Sequence, residues 1–177
     1  GKAAVAGVLG TMQLEAKFLF ERFDIPLPLA LSDTHAFERI VLVDTSNVSM
    51  SEGRFLPERV IEIIDHRSVN EADKFPNAII CIEKIGAAAT LVAERFMDSG
   101  TAISAFSAIL LYGAIASNTF NFKGALVTNR DKDAFEWLGR QFEVDKKFVR
   151  EMFEAKSDLR GERRENVIRS DFVYYMF

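Results

Sequence analysis

The 177-residue sequence predicts an α/β fold in which a mostly parallel sheet is flanked by helices. Three short apolar runs, at residues 39–43, 60–64 and 78–82, are rich in Ile and Val and are typical of strands. Because these runs are continuously apolar rather than alternating, we expect a sheet that is covered on both faces and is therefore largely parallel. Helical patterns surround the strands and complete the α/β signature.

The other elements follow from periodicity and from helix breakers. A β-rich segment at residues 5–9 precedes a helix at 14–23, which Pro26 and Pro28 terminate because proline cannot continue a helix. Further helices are expected at residues 87–97, 102–116, 132–141, 145–155 and 164–170. We expect one domain over residues 1–156 and, over residues 157–177, a linker or the start of another domain.

Composition excludes several classes of protein. The net charge of −4 disfavours a protein that coats nucleic acid, so we expect no nucleic-acid partner. The longest apolar run, residues 102–116, contains polar side chains and is shorter than the roughly 20 residues of a membrane span, so we expect a buried helix and no membrane contact. The single cysteine, Cys81, lies in an apolar run, which indicates a core residue in a reducing compartment and a cytoplasmic protein.

Polar residues follow two of the three predicted strands, where parallel α/β sheets place their ligands. Asp44 follows the first strand, and Asp65, His66 and Arg67 follow the second. A carboxylate beside an imidazole suits a divalent cation, and Mn²⁺ accepts mixed oxygen and nitrogen ligands. The planar guanidinium of Arg67 suits a phosphate group. Together these residues predict a metal site that acts on a phosphorylated substrate.

A simpler interpretation remains open for each acid taken alone. Asp44 could cap the turn that follows it, and Asp65 could pair with Arg67. His35 lies in a polar loop and is expected at the surface. Gly86 opens a helix whose amides could receive an anion, although close packing of the helix against a strand explains this glycine equally well.

Four stretches of the chain, in a fixed order, match the motifs of a known superfamily. They read VLVD at residues 41–44, IIDHR at 63–67, IGAAATL at 85–91 and AIASNTFNFK at 114–123. They resemble the DHH phosphoesterase superfamily and, within it, the branch of family II (manganese-dependent) inorganic pyrophosphatases and exopolyphosphatase-like proteins. The resemblance covers nearly the whole chain.

The resemblance implies a Rossmann-like DHH domain over residues 1–156 that hydrolyses a phosphoanhydride or phosphodiester, with pyrophosphate or short polyphosphate as the favoured substrate. It implies Mn²⁺ or Mg²⁺ as cofactor, with two ions in the complete protein. Asp44 matches a metal-bridging carboxylate and His66 a metal ligand. Asp65 matches an acid that orients His66, while Arg67 and Asn118 are expected to face phosphate or water in catalysis.

The chain also departs from the family pattern. The opening motif His-x-Asn-Pro-Asp-x-Asp is absent, so the domain is expected to be incomplete. Arg67 and Thr45 stand where the family has histidines, and Asn118 stands where it has a metal-bridging aspartate. Because asparagine is neutral, weaker metal binding is expected. The family's C-terminal domain would begin near Ser157, and we expect little or no catalysis from the chain alone.

Other functions remain open at this point. The chain could belong to a nucleotide or oligonucleotide phosphodiesterase of the same superfamily, or to a catalytically weak relative that only binds a phosphate-containing ligand. The resemblance also suggests a homodimer formed through sheet edges. The leading expectation for the partner is a small molecule that carries phosphate.

Overall fold

The computed structural model describes residues 4–48 and 53–157, which form an α/β fold. Five strands and five α-helices lie in these residues, and all three strand pairings among them are parallel. The predicted fold class is therefore confirmed. The expected helix at residues 164–170 lies outside the described residues, and the proposed division into residues 1–156 and 157–177 stays a prediction.

The N-terminal part of the described chain is a strand–helix–strand unit. Strand β1 (Gly7–Leu9) leads into helix α1 (Leu14–Arg22), and strand β2 (Leu29–Leu31) then pairs with β1 in parallel. The helix begins and ends within one residue of its predicted bounds. The sequence did not predict β2, because a three-residue strand directly after two prolines carries too little pattern to be recognised.

The second sheet contains the three strands that the apolar runs predicted. Strands β3 (Ile40–Val43), β4 (Val60–Asp65) and β5 (Ile79–Ile82) lie side by side in that order. Val43 lies opposite Ile64 in the register, and Asp65 lies opposite Ile82. The residues that follow β3 and β4 therefore emerge at the same edge of the sheet.

Burial differs between the central and the outer strands of this sheet. In β4, Ile63 is fully buried on one face and Ile64 packs on the other against Leu91 and Ile85. The outer strands expose apolar side chains: Val41 and Val43 in β3, and Ile79 and Ile80 in β5. The expectation that both faces are covered therefore holds for β4 but not for the strands beside it, in the part of the chain described.

The helices supply the larger hydrophobic core. They are α2 (Ala88–Ser99), α3 (Ala105–Asn118), α4 (Asn129–Leu138) and α5 (Phe148–Lys156). Helix α3 is central, since it contacts α1, α2, α4 and α5 and buries residues on most of its surface. Within residues 4–48 and 53–157, no helix combines the length and the apolar character needed to cross a membrane.

Capping side chains explain why two helices start away from their predicted first residues. Helix α3 starts three residues late because the Ser104 hydroxyl accepts a hydrogen bond from the amide of Ser107. Helix α4 starts three residues early because Thr128 and Asp131 form a reciprocal capping box. These caps satisfy amides at the helix start that have no partner within the helix.

Candidate metal centre

The candidate centre lies where β3 and β4 end at the same sheet edge. The Asp44 amide donates to the Ile64 carbonyl at 2.8 Å, which extends the pairing one residue beyond β3. The Asp65 carbonyl accepts from the amide of Glu83 at 3.2 Å, which extends the pairing beyond β5. The ladder hydrogen bonds therefore hold the backbone of both acidic residues in place.

The structure brings Asp44, Asp65 and His66 together. One potential ligand atom from each lies within 4.8 Å of the others, and this is the one such group of three or more in residues 4–48 and 53–157. The shortest charged contact in the group joins His66 Nε2 to Asp44 Oδ1 at 3.3 Å. Residues 22 positions apart in sequence thus form one cluster of oxygen and nitrogen donors.

Asp65 is fully buried, and protein donors satisfy both of its carboxylate oxygens. Oδ1 accepts from the amides of His66 and Arg67 at 2.7 and 3.3 Å, and Oδ2 accepts from the Ser46 hydroxyl at 2.5 Å. Asp65 therefore holds the turn that follows β4 and joins it to the loop that follows β3. This geometry supports the predicted orienting role of Asp65 toward His66, which stays a prediction.

Asp44 is the opposite case. Its Oδ1 is buried and has no hydrogen-bond partner, and its φ of 59° lies in the left-handed region that non-glycine residues seldom adopt. Such a backbone conformation costs on the order of 1–2 kcal/mol. A buried carboxylate oxygen without a donor is a position that a cation would satisfy. Asp44 Oδ1 accepts no hydrogen bond from the turn that follows it, so this oxygen does not support the interpretation of Asp44 as a turn cap.

The two ring nitrogens of His66 face different groups. Nδ1 lies 3.0 Å from the Ile85 carbonyl, which can only accept, so Nδ1 carries the hydrogen and Nε2 faces Asp44. The contact with Asp44 raises the pKa of His66 from its ordinary value, with smaller help from the Ile85 carbonyl and Asp65, although burial opposes this shift. The Nε2–Oδ1 contact lacks hydrogen-bond alignment, so it is an ion pair when the ring is protonated.

The donor set fits a divalent cation. A cation between Nε2 of His66 and Oδ1 of Asp44 would take the place of the imidazole proton and supply the missing partner of the carboxylate. Carboxylate oxygen with imidazole nitrogen is a combination that Mn²⁺ accepts readily. The Ile85 carbonyl would hold the ring from its other side, as outer hydrogen-bond partners of metal-bound histidines commonly do.

Arg67 lies at the rim of this group. Its Nη2 is 3.9 Å from Asp44 Oδ1, and its Nε is 4.0 Å from Asp65 Oδ1, with 38% of the side chain exposed. At these distances the charge attraction is present but no hydrogen bond forms. The guanidinium donors therefore remain able to bind an incoming anion.

The remaining sequence candidates lie outside this cluster. Asn118 is the exposed last residue of α3, and no described contact joins it to the three clustered side chains, so its catalytic role stays a prediction. Phe120, Asn121 and Phe122, shortly after it, all have positive φ. His35 is an exposed loop residue whose Nε2 lies 3.1 Å from the Gly53 carbonyl, which confirms the expected surface position.

Two supporting residues were missed at the level of sequence. Ser46 is fully buried and donates to Asp65, but a serine three residues after a strand gives no signal of burial. Asp131 is also fully buried, and its signal was present in the Thr128-x-x-Asp131 spacing of a capping box. Neither residue belongs to the cluster of potential metal ligands.

No family model matches the sequence. The chain is similar to the manganese-dependent inorganic pyrophosphatase of Methanothrix thermoacetophila, with 30% identity over 177 residues that cover 99% of this chain and 57% of the relative. It is similar to the cobalt-dependent inorganic pyrophosphatase of Clostridium perfringens, with 32% identity over 143 residues that cover 80% of this chain and 26% of that protein.

A solved structure extends the likeness to the fold. The crystal structure of a provisionally assigned family II inorganic pyrophosphatase from Methanococcus jannaschii matches with a TM-score of 0.71 and 26% identity, over 86% of this chain and 53% of that one. The chain thus spans about half the length of the first of these relatives and of the solved structure. Their names agree with the branch that the motifs predicted, whereas the wider superfamily and the absent opening motif stay predictions.

Proposed function

We propose that this chain forms part of a metal-dependent hydrolase that cleaves pyrophosphate or short polyphosphate. The observation that carries the proposal is the buried Asp44 Oδ1, which has no hydrogen-bond partner and lies 3.3 Å from His66 Nε2. The names of the similar proteins, which include manganese-dependent and cobalt-dependent inorganic pyrophosphatases, support the same class of reaction.

The residues of the site have separate roles in metal binding, positioning and phosphate binding. Asp44 and His66 hold Mn²⁺ or Mg²⁺. Asp65 keeps the His66 backbone in place because its carboxylate accepts a hydrogen bond from the His66 amide. When bound, a divalent ion supplies Lewis acidity that polarises a phosphoryl oxygen and stabilises charge on the leaving group. Arg67 offers guanidinium donors to the phosphate oxygens at the exposed side of the cluster.

The charge of the site supports a role for a cation. Asp44 and Asp65 place two carboxylates at the same sheet edge, which repels a phosphate anion unless positive charge is added. Arg67 supplies one such charge, and a divalent cation would supply two more. A cation therefore serves both the unsatisfied carboxylate and the approach of the substrate.

A second candidate function is binding of a phosphate-containing ligand without turnover. It is favoured by Asn118, a neutral residue at the position where the resembling family has a metal-bridging aspartate. A neutral amide leaves a site for two ions with less compensating charge. Measured turnover decides between the two candidates.

The metal site is tested by calorimetric titration of Mn²⁺ into protein expressed from its complete reading frame. We expect Asp44→Asn and His66→Ala each to weaken binding by at least about 100-fold, because loss of a ligand exceeds the 10- to 100-fold effect of losing an outer partner. His35→Ala is the matched control, since it removes an exposed histidine outside the cluster. Wild-type affinity in both cluster variants would place the metal elsewhere.

The reaction is tested by phosphate release from pyrophosphate, tripolyphosphate and adenosine bisphosphate and by mononucleotide release from short oligonucleotides, each with Mn²⁺ and with EDTA. We expect release from pyrophosphate or tripolyphosphate that requires the metal. Preferential release from the nucleotide substrates would favour the phosphodiesterase alternative. Metal-dependent binding of pyrophosphate without release from any substrate would establish the binding function instead.

A further inference from the structure

A buried acid on another element contacts the backbone that holds His66. Asp131, in the first turn of α4, is fully buried and accepts four hydrogen bonds. The donors are the Gly86 amide at 3.1 Å, the Thr90 hydroxyl at 2.6 Å, and the amide and hydroxyl of Thr128, each at 2.8 Å. We propose that Asp131 is a positioning residue that selects the metal-binding nitrogen of His66 through the Ile85–Gly86 peptide; this inference rests on the proposed metal site.

The Ile85 carbonyl sets the tautomer of the His66 imidazole. The Ile85 carbonyl accepts from His66 Nδ1 at 3.0 Å, which places the hydrogen on Nδ1 and leaves the lone pair of the neutral ring on Nε2. Nε2 is the nitrogen that faces Asp44. The direction of the Ile85 carbonyl therefore decides whether His66 offers a lone pair or a hydrogen to a cation beside Asp44.

The rigid Ile85–Gly86 peptide connects His66 to Asp131. The Ile85 carbonyl and the Gly86 amide belong to the same peptide unit, which is planar and trans, so its C=O and N–H point in opposite directions. His66 binds one end of this plane and Asp131 binds the other. A rotation that turned the carbonyl away from His66 would also remove the Gly86 amide from Asp131. The carboxylate thus resists any such rotation.

The close approach of Asp131 to the backbone requires glycine at position 86. A Cβ there would lie 2.8 Å from Asp131 Oδ2 and 2.8 Å from Thr119 Cγ2, which is closer than real Cβ contacts come. The backbone at Gly86 does not have a positive φ, so the requirement is for space rather than for a left-handed conformation. The close approach lets the Asp131 carboxylate reach the amide directly.

The competing explanation is that Asp131 only caps its own helix. The two bonds from Thr128 fit that explanation, since they belong to the capping box. The bonds from Gly86 and Thr90 reach across 45 and 41 residues and do nothing for the cap. Thr128→Ala therefore weakens the cap while leaving the Gly86 bond in place, and it is the matched control for Asp131→Ala.

The test reads the His66 tautomer by side-chain ¹⁵N NMR in the metal-free protein, expressed from its complete reading frame, at a pH above the His66 pKa. We expect the Nδ1–H form in the wild type and in Thr128→Ala, although free histidine in water prefers Nε2–H. In Asp131→Ala no side-chain acceptor remains for the Gly86 amide, so we expect a mixture of tautomers and about tenfold weaker Mn²⁺ binding.

Two results would overturn the inference. One is an Nε2–H ring in the wild type, which needs no variant and so holds even if Asp131→Ala fails to fold. The other is a folded Asp131→Ala protein that keeps the wild-type tautomer and Mn²⁺ affinity. Failure of the proposed metal site gives a different result, in which the wild type shows the Nδ1–H ring but binds no Mn²⁺.

Discussion

Two elements of this molecule, the start of α4 and the end of β3, treat a buried aspartate oxygen in opposite ways. At the start of α4, Asp131 accepts four hydrogen bonds and sits in regular helical backbone. At the end of β3, Asp44 has a buried oxygen with no partner and a backbone with φ of 59°. The arrangement at Asp131 stabilises the fold. The arrangement at Asp44 reduces stability and leaves a carboxylate oxygen free to bind a cation.

The largest effect that tests this contrast is expected from Asp131→Ala. The substitution leaves the Gly86 amide and the Thr90 hydroxyl buried without an acceptor and removes part of the α4 cap. We expect the free energy of unfolding to fall by about 3–4 kcal/mol, measured by urea denaturation. A loss below about 1 kcal/mol would mean that the Asp131 network does not stabilise the fold.

Asp44→Gly is expected to act in the opposite direction in the metal-free protein. Glycine adopts positive φ without strain, so we expect a gain of about 1 kcal/mol at a pH above the His66 pKa. Asp44 raises the His66 pKa, so its ion pair stabilises the fold at low pH and that contribution is lost as the pH rises through the folded pKa. The gain should therefore shrink at acidic pH. Destabilisation at high pH would contradict the strain argument.

Glu15 offers an intermediate case, half-buried between α1, α3 and α5. Its Oε1 accepts from Lys156 Nζ at 2.7 Å and from the Ser117 hydroxyl at 3.0 Å. Burial would raise the pKa of Glu15, but the bonds from Lys156, its own backbone and Ser117 together lower it from its ordinary value of 4.5. Its stabilisation is therefore present above pH 4.5 and is lost as the pH falls through the lower folded pKa.

Glu15→Gln tests this intermediate case. We expect a loss of about 1 kcal/mol near neutral pH, reduced from the value for a fully buried charged bond because Lys156 is partly exposed. The difference from wild type should diminish below pH 4.5 in denaturation curves recorded across a pH series. A difference that does not change with pH would show that the Glu15 charge is not the stabilising element.

The smallest effect is expected at an exposed acid. Glu21 lies 3.6 Å from Lys17 on the surface of α1, with 66% of its side chain exposed. Because water screens such a pair, Glu21→Gln should change the free energy of unfolding by less than about 0.5 kcal/mol. A larger change in the same denaturation assay would show that burial alone does not rank these carboxylates.

The sequence predicted well whatever depends on local pattern. The apolar runs located β3, β4 and β5 to within one residue, because a continuous run of Ile and Val is compatible with few other elements. It predicted the meeting of Asp44 with His66, because carboxyl ends of neighbouring parallel strands share an edge. Helix starts at α3, α4 and α5 were displaced by three residues, and capping side chains decide the first two of them.

By itself, then, the sequence determined the fold class and the pair of strand ends that carries the candidate metal ligands, since both follow from the order of short apolar runs and the polar residues behind them. Only the tertiary structure decided which Asp44 oxygen stays unpaired, which nitrogen His66 presents, and that Asp131 reaches Gly86 from 45 residues away. Those features depend on contacts between elements far apart in the chain, such as the one from the start of α4 to Gly86, and no local pattern in the sequence encodes distances of that kind.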